Sequence, residues 1–328
     1  MTPTNSEIKH LSFSKLSLFS KDPSLFRAKY ITKTLKETKS NALNMGSLVD
    51  LLLFSRIKFH DFYVIGDEPI VSGKMGDFIK SYANLKALQD INIPFEMSLI
   101  KEQDMDLLQC AYKDAAFKIG FDGVFEDFTK ESKNQEYFVY LYNKAFGVSK
   151  TYISDQEYVT AEAIGKALKT NKFTKDWFEM PGESQKEISW LHEQSTIPFL
   201  SILDSLKIDD LNKIIYIDDV KTTGKKLINF HESIEEYRYD WQAALYKKAI
   251  EYLINTGSLP KDYKIVNRII GIETYPPYRS LIIEFTPRAL YNADIEINKI
   301  VSNLIWHLDT GIWDFPKYIY DQEGIIKY

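Results

Sequence analysis

The sequence predicts an α/β fold, a mixed central sheet flanked by helices. Three observations carry that expectation. Five stretches read as strands: Lys186 to His192, Pro198 to Ile208, Lys213 to Thr222, Arg268 to Thr274 and Ser280 to Phe285. A long helical stretch, roughly Ser233 to Asn255, separates the third from the fourth. A second helix, about Pro287 to Leu308, follows the fifth. Strands in this order, with a helix as one connection, make a sheet that needs helices packed on it. At 328 residues, 45% hydrophobic and 27% charged, the chain can bury a real core and stay soluble.

Residues 11 to 39 read as short helices, with Ser12 and Ser14 able to cap one and Pro23 opening the next. From Pro23 to Lys39 the chain carries Arg27, Lys29, Lys33, Lys36 and Lys39 against one acid, Glu37. That stretch is either a solvated helix face or a phosphate-contacting surface. Residues 42 to 56, ALNMGSLVDLLLFSR, place Leu43, Gly46, Val49, Leu52 and Leu53 at helical spacing. Asp50 is the lone acid in that apolar helix, where a carboxylate needs a partner or a metal. Residues 60 to 175 read as mainly helical after a short strand, FYVIG, at 62 to 66. Ser154 and Glu157 form a capping box for the helix that runs to about Asn171. Asp209, Asp210 and Asn212 make a turn between the second and third strands, and Ser233 with Glu236 forms another capping box. The expected organisation is a single domain over 1–328: N-terminal core helices in 1–58, a largely helical insertion in 60–175 that shapes a channel or partner surface, and the sheet with its helices in 185–328. No internal repeat or low-complexity tract appears.

The formal net charge is -5, so any contact with nucleic acid must be local rather than a general basic coat. An acidic balance suits a metal site built from carboxylates, because the ion offsets their charge. Aromatics reach 14%, which core packing alone could use. The one cysteine, Cys110, rules out a disulfide within the chain and a four-cysteine zinc or iron–sulfur site, and it fits a reducing cytoplasm. The opening MTPTNSEIKHLSFSKL has no long apolar stretch, so no signal peptide is expected, and no run of 18 apolar residues predicts a membrane span. No G-x-x-x-x-G-K-[ST] phosphate loop is present.

The chemistry concentrates on one predicted strand. In Asp219-Val220-Lys221, residues i and i+2 point to the same face, so Asp219 and Lys221 project together. Val220 packs behind, and Asp218 points the other way. Asp204, 15 positions earlier on the preceding strand, would be brought beside Asp219 by a hairpin. Carboxylate oxygens suit a hard divalent cation, Mg²⁺ or Mn²⁺, and the Val220 carbonyl could assist. Such a cation polarises a phosphate and lowers the pKa of bound water, while a lysine can hold the water or stabilise charge on phosphorus. A lone D-x-K is commonly just a surface ion pair. The preceding acid and the strand context are what distinguish this one.

In preserved order the chain also carries LSFSKLSLFSKDPSLFRAKY, NMGSLVDLLLF, ILDSL, IYIDDVKTTG, YRYDWQAALYKKA, GIETYPPY and TGIWDFPKY. With these it resembles the phage exodeoxyribonuclease VIII-like and RecB-like branch of the PD-(D/E)xK nuclease superfamily. The likeness touches both ends of the chain and leaves out the middle. It implies a restriction-endonuclease-like core with a largely helical insertion, and a Mg²⁺- or Mn²⁺-dependent deoxyribonuclease. By this resemblance Asp204 and Asp219 match the metal-binding acids and Lys221 the catalytic lysine. Gln242 and Tyr246, four apart on one helix face, match a Q-x-x-x-Y motif that looks at the active site and the DNA backbone. Where the family commonly has a histidine ligand after its glycine, this chain has Asp50, which can also bind Mg²⁺ or Mn²⁺. The other reading of Asp50 is a pairing with a nearby lysine.

Glu187 either faces the same site or is a sheet-surface acid. Thr223 shares the face of Lys221 and, with Lys225, Arg27 and Lys29, is a candidate nucleic-acid contact. His192, His231 and His307 lack metal-ligand spacing and read as structural. Trp313 and Tyr318 read as packing residues. The expected function is a metal-dependent DNA exonuclease in recombination or repair, in the cytoplasm of a bacterial or phage-infected cell. DNA is the expected partner, with a recombination protein and a homo-oligomer compatible with it, and no membrane. Two rivals stand beside it. One is a catalytically silent DNA-binding or assembly subunit, which would be free to lose Asp204, Asp219 and Lys221. The other is a structure-specific endonuclease, for which 60–175 could supply target recognition.

Overall fold

The structure, a computed structural model, describes residues 8–35, 41–89, 104–147 and 149–326, with side chains in the second segment from residue 45 onward. Lys36, Glu37 and Lys39 of the basic stretch, and the side chain of Leu43, lie outside the described residues. The chain divides into two compact units, one made of 1–56 with 159–328 and the other of 57–158.

Helices α1 (Phe13–Lys21), α2 (Pro23–Phe26) and α3 (Asn41–Phe54) open the chain, with a π-helical turn, Arg27–Ile31, after α2. Pro23 occupies the first turn of α2, where its missing N–H goes unneeded. Asp22 caps that helix by accepting from the N–H groups of Ser24 and Leu25 at 2.9 and 3.0 Å. Ser12 does not cap α1, since its hydroxyl bonds that of Ser14 instead.

The unit 57–158 holds α4 (Phe59–Phe62), β1 (Tyr63–Ile65), α5 (Gly73–Gln89), α6 (Met105–Asp114), α7 (Phe121–Lys130), α8 (Ser132–Ala145) and β2 (Thr151–Ile153). Its core is strongly aromatic, with Phe78, Tyr82, Phe128 and Phe138 fully buried. β1 and β2 pair in parallel. The helix α9 (Asp155–Thr170) opens on the expected capping box. Ser154 N donates to Glu157 Oε2 at 2.8 Å, and Glu157 N donates to Ser154 Oγ at 3.2 Å.

The rest of the chain runs α10 (Lys175–Glu179), β3 (Glu183–Trp190), β4 (Phe199–Asp209), β5 (Ile214–Thr223), α11 (Phe230–Tyr237), α12 (Tyr239–Asn255), β6 (Lys264–Glu273), β7 (Ser280–Glu284), α13 (Pro287–Thr310) and α14 (Lys317–Asp321). The five expected strands form one sheet in the order β3-β4-β5-β6-β7. β3, β4 and β5 are antiparallel neighbours, and β6 and β7 form another antiparallel pair. β5 and β6 are parallel, which requires a crossover that α11 and α12 supply. The core joins Leu203, Ile215 and Ile269 of the sheet to Leu245 and Ala249 of α12 and Ile297 and Val301 of α13.

The single helix expected from Ser233 to Asn255 is in fact two. α11 begins at Phe230, so Ser233 lies buried inside it and forms no capping box with Glu236. The chain breaks at Arg238, whose backbone is left-handed (φ 56°). That conformation costs a non-glycine residue roughly 1–2 kcal/mol. The Arg238 guanidinium offsets it by donating to Asp240 at 2.8 and 3.1 Å, pairing with Glu296 of α13, and lying 3.9 Å from the Trp241 ring centre.

Candidate active site

β4 and β5 are joined by the expected turn, in which Asn212 donates to both Asp209 carboxylate oxygens. Their ladder ends at the pair Ser205–Asp218. Asp204 and Asp219 stand at that point. Asp204 Oδ2 accepts from Val220 N at 3.0 Å, and its Oδ1 accepts from Gln185 Nε2 of β3 at 3.3 Å. Strand alternation sets Asp219 and Lys221 on one face and Asp218 and Val220 on the other. Lys221 Nζ ion-pairs with Asp219 Oδ2 and lies 5.2 Å from the Tyr239 ring centre. From α12, Gln242 Nε2 donates to Asp219 Oδ1 at 3.1 Å and to the Tyr246 hydroxyl at 2.8 Å. Asp218 has a different environment. It is fully buried, held by Arg268 at 2.6 and 3.1 Å and by Trp177 Nε1 at 2.7 Å.

Three carboxylates here face one ammonium. The Asp204 carboxyl is pushed up to about 7, first by burial and then by the charge of Asp219, against the pull of Lys221. Asp50, on α3, is pushed well above the ordinary carboxylate range by burial and by Asp204. Burial works against the charge of Lys221, but Asp219 and Asp204 outweigh it and hold its pKa above that of an ordinary lysine. Burial and the same two carboxylates raise the Tyr246 phenol. The lysine therefore stays protonated, and the acids compete for the one positive charge they share.

Among the described residues, no three His, Cys, Asp or Glu side chains are already drawn together as a metal cage. The donor set nevertheless fits a hard divalent cation. It is made of oxygens alone, and it carries surplus negative charge, with three carboxylates against the single Lys221 ammonium. A cleft of about 650 Å³ opens onto Asp50, Val220, Lys221, Tyr239 and Gln242.

The remaining candidates divide. Thr223 lines this cleft, buried, with its hydroxyl accepting from Lys225 N at 3.0 Å. Lys225 also lines it, but its Nζ sits 3.2 Å from Glu236 and 3.8 Å from Glu232, so its charge is locally balanced. Arg27 and Lys29 are on the π-helical turn and are not in the cleft lining; Lys29 Nζ lies 5.3 Å from the Tyr30 ring centre. Glu187 is exposed opposite Ile202, and Gln185 is the β3 residue that reaches Asp204. His192 and His307 are buried and His231 is exposed. Trp313 packs between Phe26 and His307, whereas Tyr318 is exposed rather than packed. Sequence reasoning missed two residues. Tyr239 had a readable signal, since Tyr239, Gln242 and Tyr246 lie three and four apart on one helix face. Gln185 had none, because only the strand register places it beside Asp204.

No helix among the described residues is long and apolar enough to cross a membrane. Comparison with known proteins adds the family. The model of the PDDEXK-like domain of unknown function (DUF3799) matches residues 12–314. Among solved structures, that of a candidate exonuclease from Eubacterium rectale aligns with 92% of this chain and 82% of its own at 14% identity, with a TM-score of 0.47. No curated protein matches. The resemblance drawn from the motifs and the α/β class both hold, and with nearly the whole chain matched, the protein belongs to the PDDEXK-like family DUF3799.

Proposed function

We propose that this protein is a metal-dependent deoxyribonuclease, acting as an exonuclease in recombination or repair in the cytoplasm of a bacterial or phage-infected cell. The observation that carries this reading is that Asp50, Asp204, Asp219 and Lys221, from three separate elements of a PDDEXK-like chain, act on one another's charge beside a cleft that Asp50 and Lys221 line. Asp204 and Asp219, with Asp50 and the Val220 carbonyl, would hold Mg²⁺ or Mn²⁺. When bound, the cation supplies Lewis-acid polarisation of the phosphate and acidifies the water it carries. Lys221, kept protonated by its acidic neighbours, provides positive charge for a phosphorus centre that gains negative charge during attack. Gln242 holds one oxygen of Asp219, while Gln185 and the Val220 N–H hold both of Asp204, so the ligand carboxylates are oriented before metal arrives. We read the 60–175 stretch, which holds most of the second unit, as an insertion that shapes a channel or a partner surface. A recombination protein or a second copy of the chain is the kind of partner it would meet.

Purified protein is incubated with linear and circular DNA in Mg²⁺, Mn²⁺ or EDTA, beside Lys221→Ala and Asp219→Ala. Expected is loss of linear DNA that needs metal, survival of the circles, and a fall of about 100-fold or more in each variant. Absence of cleavage by wild type with either metal, with DNA binding retained, would sink the catalytic reading.

A further inference from the structure

The end of α9 and the turn after it, Ala163 to Lys175, read AIGKALKTNKFTK: four lysines and no acid. Lys166 and Lys169, three apart, are neighbours on one helix face. With Arg56 and Thr170 they line a groove of about 400 Å³. Arg56 is paired with Glu162 at 2.7 Å. Lys166, Lys169 and Lys172 are exposed and have no ion-pair partner among the described residues. Aromatic rings stand among them. Lys169 Nζ lies 5.8 Å from the Phe178 ring centre, and Lys172 Nζ lies 4.6 Å from that of Phe173.

Phe173 is 57% exposed on a turn that is pinned on both sides. Its N–H donates to Asn171 Oδ1 at 2.8 Å, and the fully buried Thr174 donates its hydroxyl to Leu168 O at 2.6 Å. The ring is therefore held out in water by the fold. Clustered like charges and an exposed phenyl ring are both unfavourable in isolation. A polyanion with flat apolar faces relieves both at once, by phosphate on lysine and base on ring. In a chain of net charge -5, such a contact has to be a local strip. Leu52 and Leu53, on the helix that carries Asp50, line the same groove.

We infer that Lys166, Lys169, Lys172 and Phe173 form a second nucleic-acid contact, outside the catalytic cleft, that takes a single strand with its phosphates on the lysines and one base stacked on Phe173. The inference rests on the nuclease reading only for why the protein meets nucleic acid.

The test uses the full chain in EDTA. Fluorescence anisotropy follows a labelled oligo-dT strand of about 30 nucleotides across a salt series, for wild type, Phe173→Ala, and a combined Lys166→Ala, Lys169→Ala, Lys172→Ala variant. Melting curves check that each variant is folded. Hydrolysis of bis(p-nitrophenyl) phosphate with Mn²⁺, a diester too small to reach the strip, reads the cleft separately. Losing three phosphate contacts should reduce the salt slope of log affinity by about 2 and weaken binding at least ~10-fold. Phe173→Ala should weaken single-strand binding by about 5- to 100-fold and leave blunt duplex binding little changed. Diester hydrolysis should be unchanged in both. Unaltered affinity and slope overturn the inference. So does a loss in the lysine variant with none in Phe173→Ala, since a plain cationic face fits an acidic protein equally well. If wild type hydrolyses no diester but binding falls as stated, the nuclease reading fails and the strip stands. If hydrolysis holds and binding does not fall, the strip fails alone.

Discussion

Asp204→Asn is expected to stabilise the metal-free protein at pH 8 and to remove its response to metal. Asp204 ionises at about 7 in the fold instead of 3.8. Below 3.8 the acid is protonated in both folded and unfolded chains, and its environment carries no penalty. As pH rises from 3.8, the unfolded chain releases its proton first, so the folded state loses relative stability until pH passes 7. At 1.36 kcal/mol per pH unit, the full interval of about 3 units corresponds to about 4 kcal/mol. The carboxylate is half-buried and shares its charge state with Asp219, so about 1–2 kcal/mol of that is the expected effect. Asparagine carries no charge and keeps an oxygen for the Val220 N–H. At ~2–4 °C per kcal/mol, Tm in EDTA should rise by about 2–8 °C at pH 8 and by less than half as much at pH 5. Adding Mg²⁺ should raise Tm of wild type but not of the variant. A variant that melts at or below wild type in EDTA at pH 8, or whose advantage is equal at both pH values, would refute the picture of crowded, uncompensated carboxylates.

Gln242→Ala removes the donor that holds Asp219 Oδ1, and metal affinity measured by calorimetry should fall about 10- to 100-fold; an unchanged affinity would mean that Gln242 does not orient the carboxylate. Asp218→Ala strands the Arg268 guanidinium, whose side chain is 13% exposed, and should cost about 3–5 kcal/mol in urea unfolding while leaving metal affinity intact. A loss below about 1 kcal/mol would show that water or the Tyr216 ring, 3.8 Å from the guanidinium, already satisfies the arginine.

Much of the sheet unit was readable because its signals are local. Strands of β-branched and apolar residues bounded by turn residues appeared within a few positions of where they lie, as with Lys213 to Thr222 against Ile214–Thr223. The failures are contacts made at a distance. The three residues of β2 pair with β1 from almost ninety positions away, so no window around Thr151 could reveal them. Arg238 breaks a good helical pattern, and Glu296, which holds its guanidinium there, comes from another helix. Lys225 reads as a free cation until the fold brings Glu232 and Glu236 to it.

The candidate site divides along the same line. The sequence by itself determined that Asp219 and Lys221 share a strand face, and that Gln242 and Tyr246 share a helix face, because backbone periodicity sets both. Only the tertiary structure decided that these faces meet, that Asp50 joins them from α3, and that Gln185 reaches Asp204 from β3. It also decided that Asp218, next to Asp219 in the chain, is buried against Arg268 and Trp177 instead. The physical reason is that a side chain's direction follows from its own backbone, whereas its burial, charge balance and hydrogen-bond partners come from segments remote in sequence that touch only once the chain is packed.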